Sequence, residues 1–230
     1  LSAISVPTAS PSDADFTYRL DPAAALSPAV IGGLDGLAAR AEDAGPGAVV
    51  LRLSGAPGAT GEWPGEIGIH QVNHWERALR RIERLPAVTI AVAVGSCGGA
   101  ALDLLLSCDY RIAGAGAVFE PPVVDGQLWP GMAIHRLTTQ LGVRRARRLV
   151  MFPGRLSATD AADLGLIDEI ADDPDAAAAA RVAATAAGAG GEAAIRRRLL
   201  LDAAATSFEE ALGAHLAACD RALRRSAEAV

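Results

Sequence analysis

"LPAVTIAVAVGSCGGAALDLLLSCD", residues 85–109, joins a nearly continuous apolar run to a cluster of very small residues and then to a leucine-rich segment. Residues 87–96 have the β-branched content of a strand covered on both faces, as parallel strands are. The stretch "GGAALDLLLSC" predicts a helix. Between the two, Gly98 and Gly99 let the backbone come close to a ligand at the carboxyl end of a strand, where open α/β sheets bind their ligands. The first N–H groups of such a helix have no intrahelical partner and lie at its positive end, so they suit a developing anion. Neither GxGxxG nor GK[ST] occurs here. The readings that remain are an oxyanion hole and a tight packing turn.

Working outward, residues 15–20 read as a strand, followed by a helix with Ser27 as N-cap, Pro28 at N1, and Val30, Leu34, Leu37 and Ala41 on one face. Residues 47–55 are a β-branched strand and 56–68 a Gly/Pro loop. The segment 70–85 predicts a helix that ends at Pro86, with Val72, Trp75, Leu79 and Ile82 on its apolar stripe. Past the opening stretch, 109–122 is strand material and 131–142 and 143–152 are helices. Ser157 caps a further short helix with Asp160 at N3. From about Asp173 the composition turns to alanine-rich helix, interrupted at 188–191 and restarted by the capping pair Ser207 and Glu210. Strands alternating with helices give an α/β fold. We divide the chain into an α/β core, 1–172, and a C-terminal helical section, 173–230, that folds back on its own core or packs on a neighbouring subunit.

A formal net charge of -6 over 230 residues argues against nucleic acid or an anionic membrane as partner. All 21 basic residues are arginine, which excludes a Schiff-base or general-base lysine. Cys97, Cys108 and Cys219 lack CxxC spacing, and His70, His74, His135 and His215 are scattered, so no metal site is expected. His70 and His74 share a helical face but show no third ligand. Cys97 has no histidine motif to activate it and reads as a packing residue. The chain has no apolar run of membrane-spanning length, and residues 1–15 lack the basic start and apolar region of a secretory signal. The expected location is the cytoplasm.

Residues 85–122 followed by 129–170, "WPGMAIHRLTTQLGVRRARRLVMFPGRLSATDAADLGLIDEI", resemble the enoyl-CoA hydratase/isomerase (crotonase) superfamily, over about residues 47–172 in all. The shared pattern is a strand, a "GG" turn, a helix closing on "CD", a strand ending in Phe, then "PG", two helices and an "A...GL(I/V)" segment. This resemblance implies a ClpP/crotonase-type ββα superhelix core. It also implies an oxyanion hole in which two backbone N–H groups bind the thioester oxygen of a coenzyme A substrate and stabilise an enolate. Matching "GGA" places one donor at Ala100, with Gly99 beside it. The other belongs to the preceding loop, where Gly61, Glu62 and Trp63 are candidates and Glu62 the midpoint; Pro64 has no N–H to give.

Hydratases of the superfamily use two glutamates. The first falls on Asp103, a carboxylate one methylene shorter; the second falls on Val123, which has none, with Glu120 and Asp125 flanking it. Each acid has another reading: Asp103 as a charge at a helix N-terminus, Glu120 as a solvent-facing strand end, Asp125 as a turn residue before Gly126. Trp129, Pro130 and Gly131 match the segment lining the acyl pocket, although Trp129 also reads as a core aromatic. The run Arg144 to Arg148 is a candidate for coenzyme A phosphates or a solvated face.

Within the superfamily, the "HWERALRRIERLP" and "CGGAALDLLL" segments resemble the DpgB group. That group assists a type III polyketide synthase making 3,5-dihydroxyphenylacetyl-CoA in dihydroxyphenylglycine biosynthesis. The resemblance implies a dehydratase or isomerase acting on an acyl-CoA thioester. It needs no cofactor beyond the coenzyme A of the substrate, forms a homotrimer or hexamer, and works with such a synthase. The competing reading is a catalytically weak protein that binds the thioester for the synthase.

Overall fold

The computed structural model describes residues 16–21, 24–55, 63–188 and 192–228. The first half alternates strand and helix: β1 (Phe16–Leu20), α1 (Pro28–Ala44), β2 (Ala48–Gly55), α2 (Ile69–Ile82), β3 (Val88–Gly98), α3 (Gly99–Leu106) and β4 (Tyr110–Gly114). Short strands follow, β5 (Val118–Glu120), β6 (Val123–Val124) and β7 (Gln127–Leu128), then helices α4 (Ala133–Leu141) and α5 (Val143–Met151). The chain continues through β8 (Leu156–Ser157), α6 (Ala158–Leu164) and β9 (Glu169–Ala171) to α7 (Pro174–Gly188), α8 (Glu192–Ala203) and α9 (Phe208–Glu228).

Five strands form a parallel sheet in the order β1-β2-β3-β4-β9. Its two faces are read off the alternation along the central strands. Val49, Leu51, Leu53, Ala91 and Ala93 face α1, α2 and α3 in the larger core, while Val50, Ile90, Val92 and Ile112 face Ala178 of α7. Each such side chain contributes about 1.5–3 kcal/mol when removed from water. The doubly apolar run of β3 is therefore accounted for by helices on both faces.

Helix starts follow their caps. The Ser27 hydroxyl accepts from the Val30 N–H at 3.3 Å with Pro28 at the first helical position. Ser157 and Asp160 form a reciprocal capping box, and Ser207 and Glu210 pair in the same way. Two boundaries differ from the sequence reading. Helix α2 ends at Ile82 rather than at Pro86, because the chain tightens into turns with Arg84 N–H donating to the Arg81 carbonyl and Leu85 N–H to the Ile82 carbonyl. The residue ahead of a proline is disfavoured in helix, and the chain leaves it early.

Strand β3 runs on through its glycine to Gly98. Residues 88–95 pair with β2, while Ser96, Cys97 and Gly98 pair with Val118, Phe119 and Glu120 of β5. The handover occurs at Gly95, whose φ is +71°; a Cβ there would lie 2.1 Å from the Gly55 carbonyl oxygen. Only glycine allows that approach, and it steers the strand end and the helix after it out of the main sheet.

The C-terminal helices divide. Helix α7 packs on β2, β3, β4 and β9, with Arg181 over the Tyr110 ring at 4.5 Å and paired to Glu169 at 2.8 Å. Helix α8 is held by buried Arg197, which donates to the Leu85 and Ala87 carbonyls and to both carboxylate oxygens of Asp109. Helix α9 packs on α8 and leaves Phe208, Leu212, Leu216 and Leu223 exposed. Among the described residues no helix is long and apolar enough to cross a membrane.

Candidate active site

The glycine turn delivers α3 with no side-chain cap. Gly98 is the N-cap and makes no side-chain hydrogen bond, in contrast to the serines that open α1 and α6. The N–H groups of Gly99, Ala100 and Ala101 thus lie in a first turn that offers them no intrahelical carbonyl. Glycine is required at both leading positions. A Cβ on Gly98 would lie 2.8 Å from the Glu120 carbonyl oxygen, and Gly99 has a φ of +50° with the Trp63 ring packed against it, 3.0 Å from where a Cβ would be. Trp63, at the near end of the preceding loop, is therefore beside the turn. Gly61 and Glu62 lie outside the described residues.

One helical turn beyond Ala100, Asp103 is 3% exposed on a helix whose every residue is buried. Its Oδ2 accepts a hydrogen bond of 3.0 Å from the indole N–H of buried Trp75 on α2; Oδ1 takes none among the described residues. The carboxyl is pushed up to about 7: burial raises it most, the Trp75 hydrogen bond and the Arg136 charge hold it down, and the Glu76 charge pushes it further up. A carboxyl balanced near neutrality both donates and accepts protons readily at physiological pH.

Next to Trp75 in sequence, Glu76 binds across to α4. Its Oε2 accepts from Arg136 at 2.9 Å and its Oε1 from the Met132 N–H at 3.3 Å. Arg136 is buried and also pairs with Glu83 at 2.6 Å. Gly131 is close by: a Cβ there would lie 2.9 Å from the Trp129 ring and 3.8 Å from Glu76 Oε1. Trp129 is fixed by its backbone N–H, which donates to the Pro122 carbonyl at 2.8 Å. The chain has three tryptophans, and they contact Gly99, Asp103 and Gly131 respectively.

The flanking acids are placed elsewhere. Glu120 lies beside Gly98 in the β3–β5 pairing, but its carboxylate accepts from Ser96 at 2.6 Å and pairs with Arg155 at 2.9 Å. Asp125 is exposed at the tip of the β6–β7 hairpin, where it and Gly126 have φ of 51° and 77°, the geometry of a two-residue turn that favours Asp-Gly. Neither has a hydrogen bond or ion pair with Asp103 or Trp75 among the described residues. Arg144, Arg145, Arg147 and Arg148 are exposed on α5, as are His70 and His74 on α2 and His135 on α4. Burial pushes the Cys97 thiol far up, which suits a packing residue.

Trp75, Glu76 and Arg136 are absent from the sequence reading of the site. The sequence places Trp75 on a core stripe, and it is in the core. The signal in the sequence is that an indole N–H on an apolar stripe needs an acceptor, and that Asp103 is an acid within a leucine-rich predicted helix.

Residues 68–225 match the family described as Enoyl-CoA hydratase/isomerase. An enoyl-CoA hydratase of Amycolatopsis orientalis is 46% identical over 216 residues, 93% of this chain and 98% of that protein. An enoyl-CoA isomerase/hydratase of Mycosarcoma maydis is 37% identical over a shorter match, 40% of this chain and 35% of that protein. Among solved structures, an enoyl-CoA hydratase of Mycobacterium smegmatis superposes with a TM-score of 0.77 at 23% identity, covering 91% of this chain and 87% of that one. An enoyl-CoA hydratase/isomerase of Marinobacter aquaeolei gives 0.76 at 20% identity, covering 92% and 88%. The fold is that of the crotonases, and the chain belongs to the enoyl-CoA hydratase/isomerase family.

Proposed function

We propose that the protein is an enzyme acting on an acyl-CoA thioester, with Asp103 as its proton-transfer residue and the N–H groups of Gly99 and Ala100 as oxyanion donors. The observation that carries this reading is a near-neutral, buried carboxyl one turn from an uncapped, glycine-built helix start. A thioester oxygen at that helix start gains negative charge as the adjacent carbon loses its proton. Each preorganised donor is worth about 3–4 kcal/mol to such a transition state. With Oδ2 tied to Trp75, Oδ1 is the oxygen available to carry the proton. One such carboxyl suffices for isomerisation, taking a proton from one carbon and returning it to another. In a dehydration it takes the α-proton and gives it to the β-hydroxyl, which the enolate expels as water.

The narrower reading is a dehydratase or isomerase that, with a type III polyketide synthase, aromatises a polyketide to 3,5-dihydroxyphenylacetyl-CoA in dihydroxyphenylglycine biosynthesis. Its supports are the resemblance in the α2 and α3 segments and the tryptophans beside Gly99 and Gly131, which suit a ring-like acyl group. The exposed apolar residues of α9 support association of copies into a homotrimer or hexamer. The test is mass spectrometry of the products made from malonyl-CoA by a type III synthase alone, with this protein, and with its Asp103→Asn variant. Wild type is expected to shift product to the aromatic thioester, and the variant to lose that effect by roughly 100-fold or more. A variant as effective as wild type would make the protein a thioester holder instead.

A further inference from the structure

The acid at the centre of this site does not stand alone, and what surrounds it comes from two other helices. From α2, Trp75 donates to Oδ2 at 3.0 Å, and the charge of the next residue, Glu76, opposes ionisation of Asp103. From α4, Arg136 reaches between Glu76 at 2.9 Å and Glu83 at 2.6 Å, and the Met132 N–H holds the other Glu76 oxygen. From β5, Glu120 is turned to Ser96 and Arg155. The two oxygens of Glu76 are both engaged, so its charge is fixed in place rather than free to swing.

Resting on the assignment of Asp103 above, we propose that Trp75 and Glu76 are its positioning residues. The Trp75 indole N–H holds one carboxyl oxygen and leaves Oδ1 for the substrate. The Glu76 carboxylate, clamped by Arg136 and the Met132 N–H, is the fixed charge against which Asp103 gives and takes its proton. The two act in opposite senses. A donor to the ionised carboxylate favours ionisation, and a neighbouring negative charge opposes it. Removing Glu76 also frees Arg136 of one partner, which strengthens its pull in the same direction as the lost repulsion.

The test titrates Asp103 directly, by the infrared carboxyl band that disappears in Asp103→Asn, and records in parallel the pH profile of α-proton exchange on an acyl-CoA thioester. Trp75→Phe keeps most of the ring volume and removes the donor; its midpoint is expected to rise by about one pH unit, the size of one lost hydrogen bond. Glu76→Gln is expected to lower the midpoint, and the limb of the rate profile is expected to follow in both. Midpoints that stay put, or move in the same direction in both variants, would overturn the positioning. Midpoints that diverge while the rate limb stays still would leave the positioning in place and overturn Asp103 as the proton carrier.

Discussion

Helices α3 and α9 both present alanine and leucine, although α9 also carries seven charged residues and α3 only Asp103. Yet every residue of α3 is buried, while Phe208, Leu212, Leu216 and Leu223 of α9 are 75, 42, 59 and 71% exposed. The difference lies in what surrounds them. Helix α3 leaves a strand that two glycines bring within backbone contact of its neighbours, and it is enclosed by α2, α4 and the sheet. A carboxyl placed there is stripped of water and has its proton affinity set by a few named neighbours. Helix α9 packs on α8, and its acids, such as Glu210 in the cap of the helix, are solvated. The chemistry of an acid therefore depends on its burial. In this chain, glycine is what creates the burial.

The contrast can be broken at its strongest point first. Gly95→Ala puts a Cβ against the Gly55 carbonyl at 2.1 Å with a φ of +71°, and is expected to cost more than about 4 kcal/mol. Chemical denaturation should find little folded protein; a near-normal midpoint would mean that the β3 handover tolerates a side chain. Asp103→Asn is the next largest. A carboxyl whose folded value is raised contributes stability that is complete below its unfolded value near 4 and is lost as pH rises through about 7. The variant should therefore gain on wild type between pH 4 and 8 by on the order of 4 kcal/mol, and parallel stability curves would contradict the burial of that charge.

Arg197→Ala cuts the tie of α8 to Asp109 and the Leu85 and Ala87 carbonyls, with an expected loss of about 2–3 kcal/mol. Hydrogen exchange should show α8 and α9 opening before the sheet. Smallest is Gly213→Ala on α9, where a Cβ meets nothing within 4 Å. There the same kind of substitution that destroys β3 should stabilise by about 0.5–1 kcal/mol, read as a higher melting temperature.

Much of this fold was legible in residues 85–109, because a doubly buried strand, a glycine turn and a helix are all local patterns. The serine caps at Ser27, Ser157 and Ser207 were legible for the same reason. Asp103 and the turn stand out by pattern and resemblance together. What the sequence hid was the company Asp103 keeps. Trp75 is 28 residues away from it, and Arg136 is 60 residues from Glu76. No spacing rule links such pairs, and the apolar stripe of α2 drew attention to Trp75 as bulk rather than as a donor. Asp125 shows the converse. Its Asp-Gly signal was on the page, and the hairpin it forms turns that acid to solvent.

We propose that Asp103 moves a proton at the carbon beside a thioester held by the α3 helix start. The most direct test is proton NMR of an acyl-CoA thioester in D2O, following loss of the α-proton signal with wild type and with Asp103→Asn. Exchange by wild type that falls roughly 100-fold or more in the folded variant is the expected result. Equal exchange by the two proteins would contradict it and send the search for the proton carrier to another residue.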